Sequence, residues 1–265
     1  MADAALAREA HQTDTGNWKS LEPRFYEGPG WRARLGLLVL TTDMASEWDL
    51  IRYTRLEGVD CYTSRMPMST TADKAALAAL KDEVVTATEN LVPWAEFDAI
   101  AFCCTTGSIA VGPDRLREMV QSVKPGVPVR NPVDSALDAL AALSCKRVSV
   151  LTPYVHEVNE TLEDYFLGRG LELLEMAAFN QAGDPEINRI DPECIVEAAL
   201  QTGASDCDGL FISCTGLCTS GIVQRIEDEL GKPVVTSNQA LAWATLRAAG
   251  INDPVDGFGR LFRLS

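Results

Sequence analysis

Histidine is nearly missing from this chain of 265 residues, which has only His11 and His156. With cysteine spacings of 103/104 and 214/218 besides, no set of paired ligands for zinc and no Ser/His/Asp triad can be assembled, so no metal is expected. Basic residues are also scarce, 23 Lys and Arg against 38 Asp and Glu, for a formal net charge of −15. That balance excludes nucleic acid as a partner, because phosphate backbones are held by clustered Lys and Arg. An anionic small molecule is not excluded, since helix N-termini can hold a carboxylate on an acidic protein. No apolar run reaches the roughly 18 residues a membrane span needs. The opening "MADAALAREAHQTDTGNWKS" lacks the basic-then-apolar order of a secretory signal. No G-x-G-x-x-G or Walker pattern is present, so nothing points to a nucleotide cofactor.

Cysteine, by contrast, is plentiful. Eight of them without a secretion signal point to reduced thiols and a cytoplasmic protein. Two lie in matching surroundings. "DAIAFCCT" (residues 98–105) and "DGLFISCT" (residues 208–215) each open on an aspartate, run through an apolar strand and end on Cys-Thr, placing Cys104 and Cys214 110 positions apart. "RLGLLVLT" from Arg34 and "RVSVLTPY" from Arg147 match at an offset of 113, and "PVRNPV" from Pro128 and "PVVTSNQA" from Pro233 at 105. Three matches in one order indicate two copies of an α/β unit.

The hydrophobic pattern gives strands at 34–40, 59–62, 98–103, 127–130, 147–151, 171–176, 208–213 and 233–236. Helices are expected at 71–92, 111–124, 133–143, 155–168, 191–203, 219–230 and 238–249. Strand and helix in alternation call for parallel sheets covered on both faces. The expected organisation is an N-terminal arm over residues 1–30, flexible or packed on a partner subunit. A first domain of residues 31–130 is completed by 237–265, and a second spans 131–236. Period-two alternation puts Cys103 in the core and Cys104 on the opposite face. Cys218 is expected on one helix face with Cys214, as buried filling. His156 opens a helix as a capping or solvated residue.

The two Cys-Thr strand ends, "LTPYVHEVN" (151–159) and "VVTSNQALAWATLRAAG" (234–250) resemble the aspartate/glutamate racemase superfamily over residues 32–250. Within it the sequence is most similar to the branch of maleate cis–trans isomerases and arylmalonate decarboxylases. "VLTTD" (39–43) and "CCTTGS" (103–108) also resemble the racemase-like proteins of ectoine utilisation. The resemblance implies two pseudo-symmetric flavodoxin-like domains, each with a four-stranded parallel sheet, an active site in the cleft between them and no cofactor. It further implies a small carboxylate substrate, a homo-oligomer, and one cysteine from each domain facing the substrate: Cys104 and Cys214. Tyr154 matches a tyrosine that hydrogen-bonds a substrate carboxylate. The backbone N–H groups of Thr105, Thr106, Thr215 and Gly216 would line anion sites, or those threonines cap helices.

Thr41 and Thr42 keep hydroxyls where the branch has serines, but Asp43 stands where an asparagine is expected, and Asp184 near a second such position. An asparagine donates to a carboxylate and an aspartate repels one. Asp43 is therefore either the partner of a substrate ammonium or amide N–H, or a helix cap.

A thiol on each face can remove a proton on one side and return one on the other, inverting a stereocentre. On an alkene dicarboxylate, Cys104 would add as nucleophile and Cys214 supply the proton. Helix N-termini are expected to lower the thiol pKa from about 8.5 toward neutrality. Decarboxylation needs only Cys214 as proton donor and is the alternative enzyme reading. A sensor that kept the cleft but lost turnover is the alternative of another class.

Overall fold

The computed structural model describes residues 21–70, 77 and 79–264. Residues 1–20 of the expected arm, and 71–76 and 78 of the helix expected at 71–92, lie outside the described residues. Residues 21–30 form neither helix nor strand and are mostly exposed.

Two four-stranded parallel sheets carry the fold. The first contains β1 (Ala33–Leu40), β2 (Val59–Met66), β3 (Ala99–Cys103) and β4 (Val129–Arg130) in the order β2-β1-β3-β4. The second contains β5 (Arg147–Tyr154), β6 (Glu172–Gln181), β7 (Gly209–Ile212) and β8 (Val234–Thr236) in the order β6-β5-β7-β8. The order is the same in both, as the internal repeat requires. In each sheet the strand order reverses between the central pair, β1 and β3 or β5 and β7, and doubly wound sheets bind ligands beyond the carboxyl ends of the strands at such a switch point. Among the described residues, no helix is long and apolar enough to cross a membrane.

Alternation along β1 and β3 sorts the first sheet into two cores. Ala33, Leu35, Leu37, Val39, Ala99, Ala101 and Cys103 face one layer, while Leu38, Leu40, Ile100, Phe102 and Cys104 face the other. Cys103 is thus fully buried away from Cys104, as the period of two predicts. The first layer is closed by α1 (Ser46–Tyr53) and α10 (Ser237–Ala248) through Leu50, Tyr53, Leu241, Ala242 and Leu246. The other layer is closed by α2 (Val84–Glu89) and α4 (Pro113–Val123) through Val84, Ala87, Leu116, Met119 and Val120. The second sheet packs with α5 (Pro132–Ala142), α6 (His156–Leu167), the short α7 (Asp184–Ile187), α8 (Pro192–Gly203) and α9 (Val223–Leu230) in one continuous core. The final helix, though reached from the second sheet, returns to the first.

Three elements differ from the sequence expectation. α1 fills the interval between β1 and β2 where no helix is expected. The helix expected from residue 219 begins at Val223, and residues 213–222 form turns, so Cys214 and Cys218 do not share a helix face. A short helix α3 (Thr105–Val111) precedes α4, interrupted at Gly112, whose φ of 92° is a conformation that glycine adopts without penalty.

Candidate active site

Cys104 follows the last residue of β3 and occupies the N-cap position of α3. Its sulfur accepts the Gly107 N–H at 3.3 Å, the place a serine or aspartate oxygen usually takes. Gly107 is needed there: a Cβ would sit 2.9 Å from that sulfur and 2.7 Å from Leu80 Cδ1. Cys214 lies two residues beyond β7, and its sulfur accepts the Gly216 N–H at 3.3 Å. Its φ is 110°, a backbone conformation costing about 1–3 kcal/mol for a non-glycine residue and found mostly at functional sites. Ser237, the first residue of α10, ties the two segments together. Its hydroxyl oxygen accepts both the Cys214 N–H (3.0 Å) and the Thr105 hydroxyl (3.0 Å).

Both cysteines line one narrow, partly open cavity of about 30 Å³ between the sheets, together with Asp43, Thr105, Thr106, Tyr154, Thr215 and Gly216, enough space for about one or two waters. Thr41, exposed, and Thr42, half-buried, are not among the lining residues. The Thr41 hydroxyl accepts from the Met68 N–H at 3.2 Å, and Thr42 donates to Asp184. The sequence reading does not single out the apolar wall of Leu40, Met68, Leu77 and Ile187, nor Asn188. Asn188 closes the seam between the domains, accepting the Met44 N–H at 2.8 Å and donating to the Thr42 carbonyl at 3.2 Å. Its signal lay in "GDPEINRI", four residues past the aspartate matched to the expected asparagine. His156 is at the exposed start of α6, within 3.5 Å of Glu160, and is not part of the lining. Among the described residues, none that lines the cavity is Lys, Arg or His.

The expectation that helix N-termini lower the thiol pKa is overturned. Burial pushes Cys104 up to about 12, outweighing the Gly107 N–H and the nearby Thr106 hydroxyl. Burial raises Cys214 further, against the opposing hydrogen bonds from Tyr154 and Gly216. Two N–H dipoles at 3.3 Å cannot replace the hydration a thiolate loses in a narrow cavity. The carboxyl groups of Asp43 and Asp184 add to the rise. Burial holds Tyr154 firmly protonated as well, which makes it a hydrogen-bond donor.

Asp43 is nearly fully buried and acts as a cap for the start of α1. Its Oδ1 accepts the N–H groups of Ala45 (2.7 Å) and Ser46 (2.8 Å), and its Oδ2 accepts the Ser46 hydroxyl. Of the two readings open from the sequence, the geometry favours the cap. Burial raises its pKa to about 6, against the opposing bonds from Ser46 and Ala45. A carboxyl whose folded pKa is raised stabilises the fold below its unfolded value, and that contribution is lost as pH climbs through the folded one. Asp43→Ala should therefore cost about 1–2 kcal/mol. Asp43→Asn, which keeps an acceptor for the two N–H groups, should cost less and should remove the fall in stability between 3.8 and about 6. Thermal melts of the three proteins across that range check both points. A change in ligand binding with unaltered melts would return Asp43 to the ligand.

Comparison with known proteins agrees with this architecture. The family model for arylmalonate decarboxylase matches residues 68–262. The arylmalonate decarboxylase of Bordetella bronchiseptica is 32% identical over 140 residues, 52% of this chain and 58% of that protein, so the match spans little more than half the relative's length. The maleate isomerase of Nocardia farcinica is 26% identical over 243 residues, 87% of this chain and 95% of that protein. A solved structure of the Nocardia farcinica maleate cis-trans isomerase, a cysteine-to-serine mutant with a covalently bound succinylcysteine intermediate, superposes with a TM-score of 0.80 at 24% identity. It covers 87% of this chain and 98% of that chain. With two sheets of one strand order, a cysteine at the end of a central strand in each, and a family match running from the end of β2 to the last helical turn, the chain belongs to the arylmalonate decarboxylase family.

Proposed function

We propose that this protein is a cofactor-independent isomerase or racemase of a small carboxylic acid, with Cys104 and Cys214 as its acid/base pair. The observation that carries the reading is that the two sulfurs, one from each domain, line the same narrow cavity, each beside a backbone N–H. In racemisation, the thiolate of one cysteine takes the proton on the carbon next to the carboxylate, and the thiol of the other returns a proton on the opposite face. The carbanion's charge is spread onto the carboxylate oxygens, where the Tyr154 hydroxyl and the N–H groups of Thr105, Thr106, Thr215 and Gly216 are the candidate donors. On an alkene dicarboxylate, the Cys104 thiolate, present as the minor ionised form, bonds to one alkene carbon as the π pair moves to the other, which takes the proton of the Cys214 thiol and leaves Cys214 as the thiolate. Rotation about the new single bond and reversal of both steps release the trans diacid. The Nocardia enzyme named above, with its succinylcysteine, supports this second route.

Decarboxylation with Cys214 as sole proton donor is favoured by the family match. Incubating the protein with maleate, a panel of amino acids and an arylmalonate in deuterated water, followed by NMR, separates the outcomes. α-Hydrogen exchange or cis–trans conversion supports the isomerase reading, and CO₂ loss with one deuterium incorporated supports decarboxylation. Binding without incorporation into any ligand would leave a non-catalytic receptor.

The lining carboxyl that bears on substrate choice is Asp184, because Asp43 is engaged by α1. Burial raises the Asp184 pKa against the opposing Thr42 hydroxyl, and among the described residues no lining cation offsets its charge. Asp184→Asn should tighten binding of a plain dicarboxylate and weaken that of an amino acid, each by about ten-fold, the scale of one charge-assisted hydrogen bond. Unchanged KM for both classes would remove Asp184 from the substrate's surroundings.

A further inference from the structure

We infer that Asp49, in α1 on the first sheet's side of the seam, is a positioning residue that sets the backbone of Cys214 in the opposite domain. The inference rests on the reading of Cys214 as a reacting thiol. Asp49 is completely buried, and such a carboxylate is tolerated only where donors replace its water. Its Oδ2 accepts the Thr219 N–H (2.8 Å), the Thr219 hydroxyl (3.0 Å) and the Asn238 amide (3.1 Å), and its Oδ1 accepts the Ser220 N–H (3.2 Å). Thr219 and Ser220 belong to the run of turns that starts at Cys214 and has neither sheet ladder nor helix to fix it. Asn238 extends the clamp toward the thiol: its second amide hydrogen goes to the Thr215 carbonyl (2.9 Å), with the Leu217 carbonyl alongside at 3.3 Å. The Ser46 hydroxyl, one turn ahead of Asp49 in α1 and donating to Asp43, lies 3.3 Å from the same Thr215 carbonyl.

The segment therefore receives its shape from across the domain seam. A residue held at a φ of 110° relaxes unless its surroundings over-determine it. The bonds gathered on Asp49 and Asn238 supply that constraint, holding the chain on the C-terminal side of Cys214 while Ser237 holds its N–H. Asp49 touches no lining residue's side chain and acts through the backbone of the turn.

The test compares wild type with Asp49→Asn, which keeps the shape but turns one acceptor into a donor facing Thr219 and Ser220. Iodoacetamide modification of each cysteine is followed by mass spectrometry, with circular dichroism and thermal melts to establish that the variant is folded. The Cys214 rate should rise about ten-fold or more while that of Cys104 stays within about two-fold, as expected for loss of a hydrogen-bonded constraint local to one thiol. Equal changes at both thiols, or none at either, would overturn the inference. Should Asp49→Asn not fold, Thr219→Val carries the test: it keeps the backbone donor, loses only the hydroxyl, and should shift Cys214 in the same direction by about three-fold. Deuterium incorporation by the same variants, with whichever of the panel compounds reacts, should fall in kcat with KM unchanged. Selective exposure of Cys214 with full kcat would leave the clamp intact and instead overturn the reading of Cys214 as the reacting thiol.

Discussion

Cys104→Ser and Cys214→Ser should each lower isomerisation or racemisation by about 10²–10⁴-fold, the usual contribution of a positioned proton-transfer group. The double variant should be little worse than either single one, because two groups that act as a unit do not contribute additively. Serine nearly matches the thiol in size and can still accept the Gly107 or Gly216 N–H, so the fold should survive. Cys103→Ser is the control. That side chain lies in the other layer, against β1 and α10, and the substitution should cost stability through a buried hydroxyl while leaving turnover close to wild type. The pattern also separates the two enzyme readings. Arylmalonate decarboxylation that survives in Cys104→Ser and vanishes in Cys214→Ser would replace the two-thiol mechanism with a single proton donor.

Without ligand, the alkylation rates of Cys104 and Cys214, followed residue by residue by mass spectrometry so that the exposed Cys194 does not contribute, should climb about ten-fold per pH unit from pH 7 to 10 and show no plateau there, because the reactive thiolate is a minor species throughout that range. The cause is burial, which lifts Cys104 to about 12 and Cys214 higher still. The same shift fixes the sign of the stability effect. The folded state keeps the thiol protons above the unfolded value of about 8.5, so the unfolded state binds fewer protons and stability falls as pH rises beyond it. Alkaline melts of Cys104→Ser should accordingly show a shallower decline than wild type. A plateau in alkylation near pH 7 to 8 would mean that the N–H dipoles prevail over burial, contrary to the reading of this cavity. A ligand that slows alkylation would map both thiols to its binding site in the same experiment.

The parallel strands were legible because β1, β3, β5 and β7 are short, apolar and bounded by turn residues, and because the repeat at offsets near 110 recurs along the chain. The strand ends gave Cys104 and Cys214 for the same reason. α1 was not legible. Its buried positions include Ser46 and Asp49 while Trp48 and Ile51 are exposed, so hydrophobic periodicity points the wrong way. The start of α9 was placed early because Thr219 and Ser220 look like a helix N-terminus, yet their N–H groups go to Asp49, a partner some 170 positions distant. The thiol pKa was misjudged for a related reason. A helix N-terminus can be read locally, but the closure that dehydrates the sulfurs is made by Met68, Leu77 and Ile187, contributed by both domains. Asp43 shows the reverse case: its departure from the expected asparagine was visible, but its hydrogen-bond partners, two and three residues away, decide its role.

The return of α10 to the first sheet has a consequence for biosynthesis. Leu35, Leu37 and Val39 of β1 share a core with Leu50 and Tyr53 of α1 and with Leu241, Ala242, Leu246, Ile251 and Phe262, so a chain emerging from the ribosome carries a sheet with one apolar face covered only by α1 until residues 241–262 are made. The second sheet is drawn almost entirely from residues 133–235, with Ala240 and Leu261 added at the end, and can condense earlier. Vectorial synthesis therefore reverses the order in which the two halves are finished: the half translated first is completed last, and Ser237 and Asn238, which join both cysteine segments, arrive with its cover. An intermediate with a packed second half and an open first half is the species most exposed to aggregation, and the two thiols meet in a common cavity only when that species disappears.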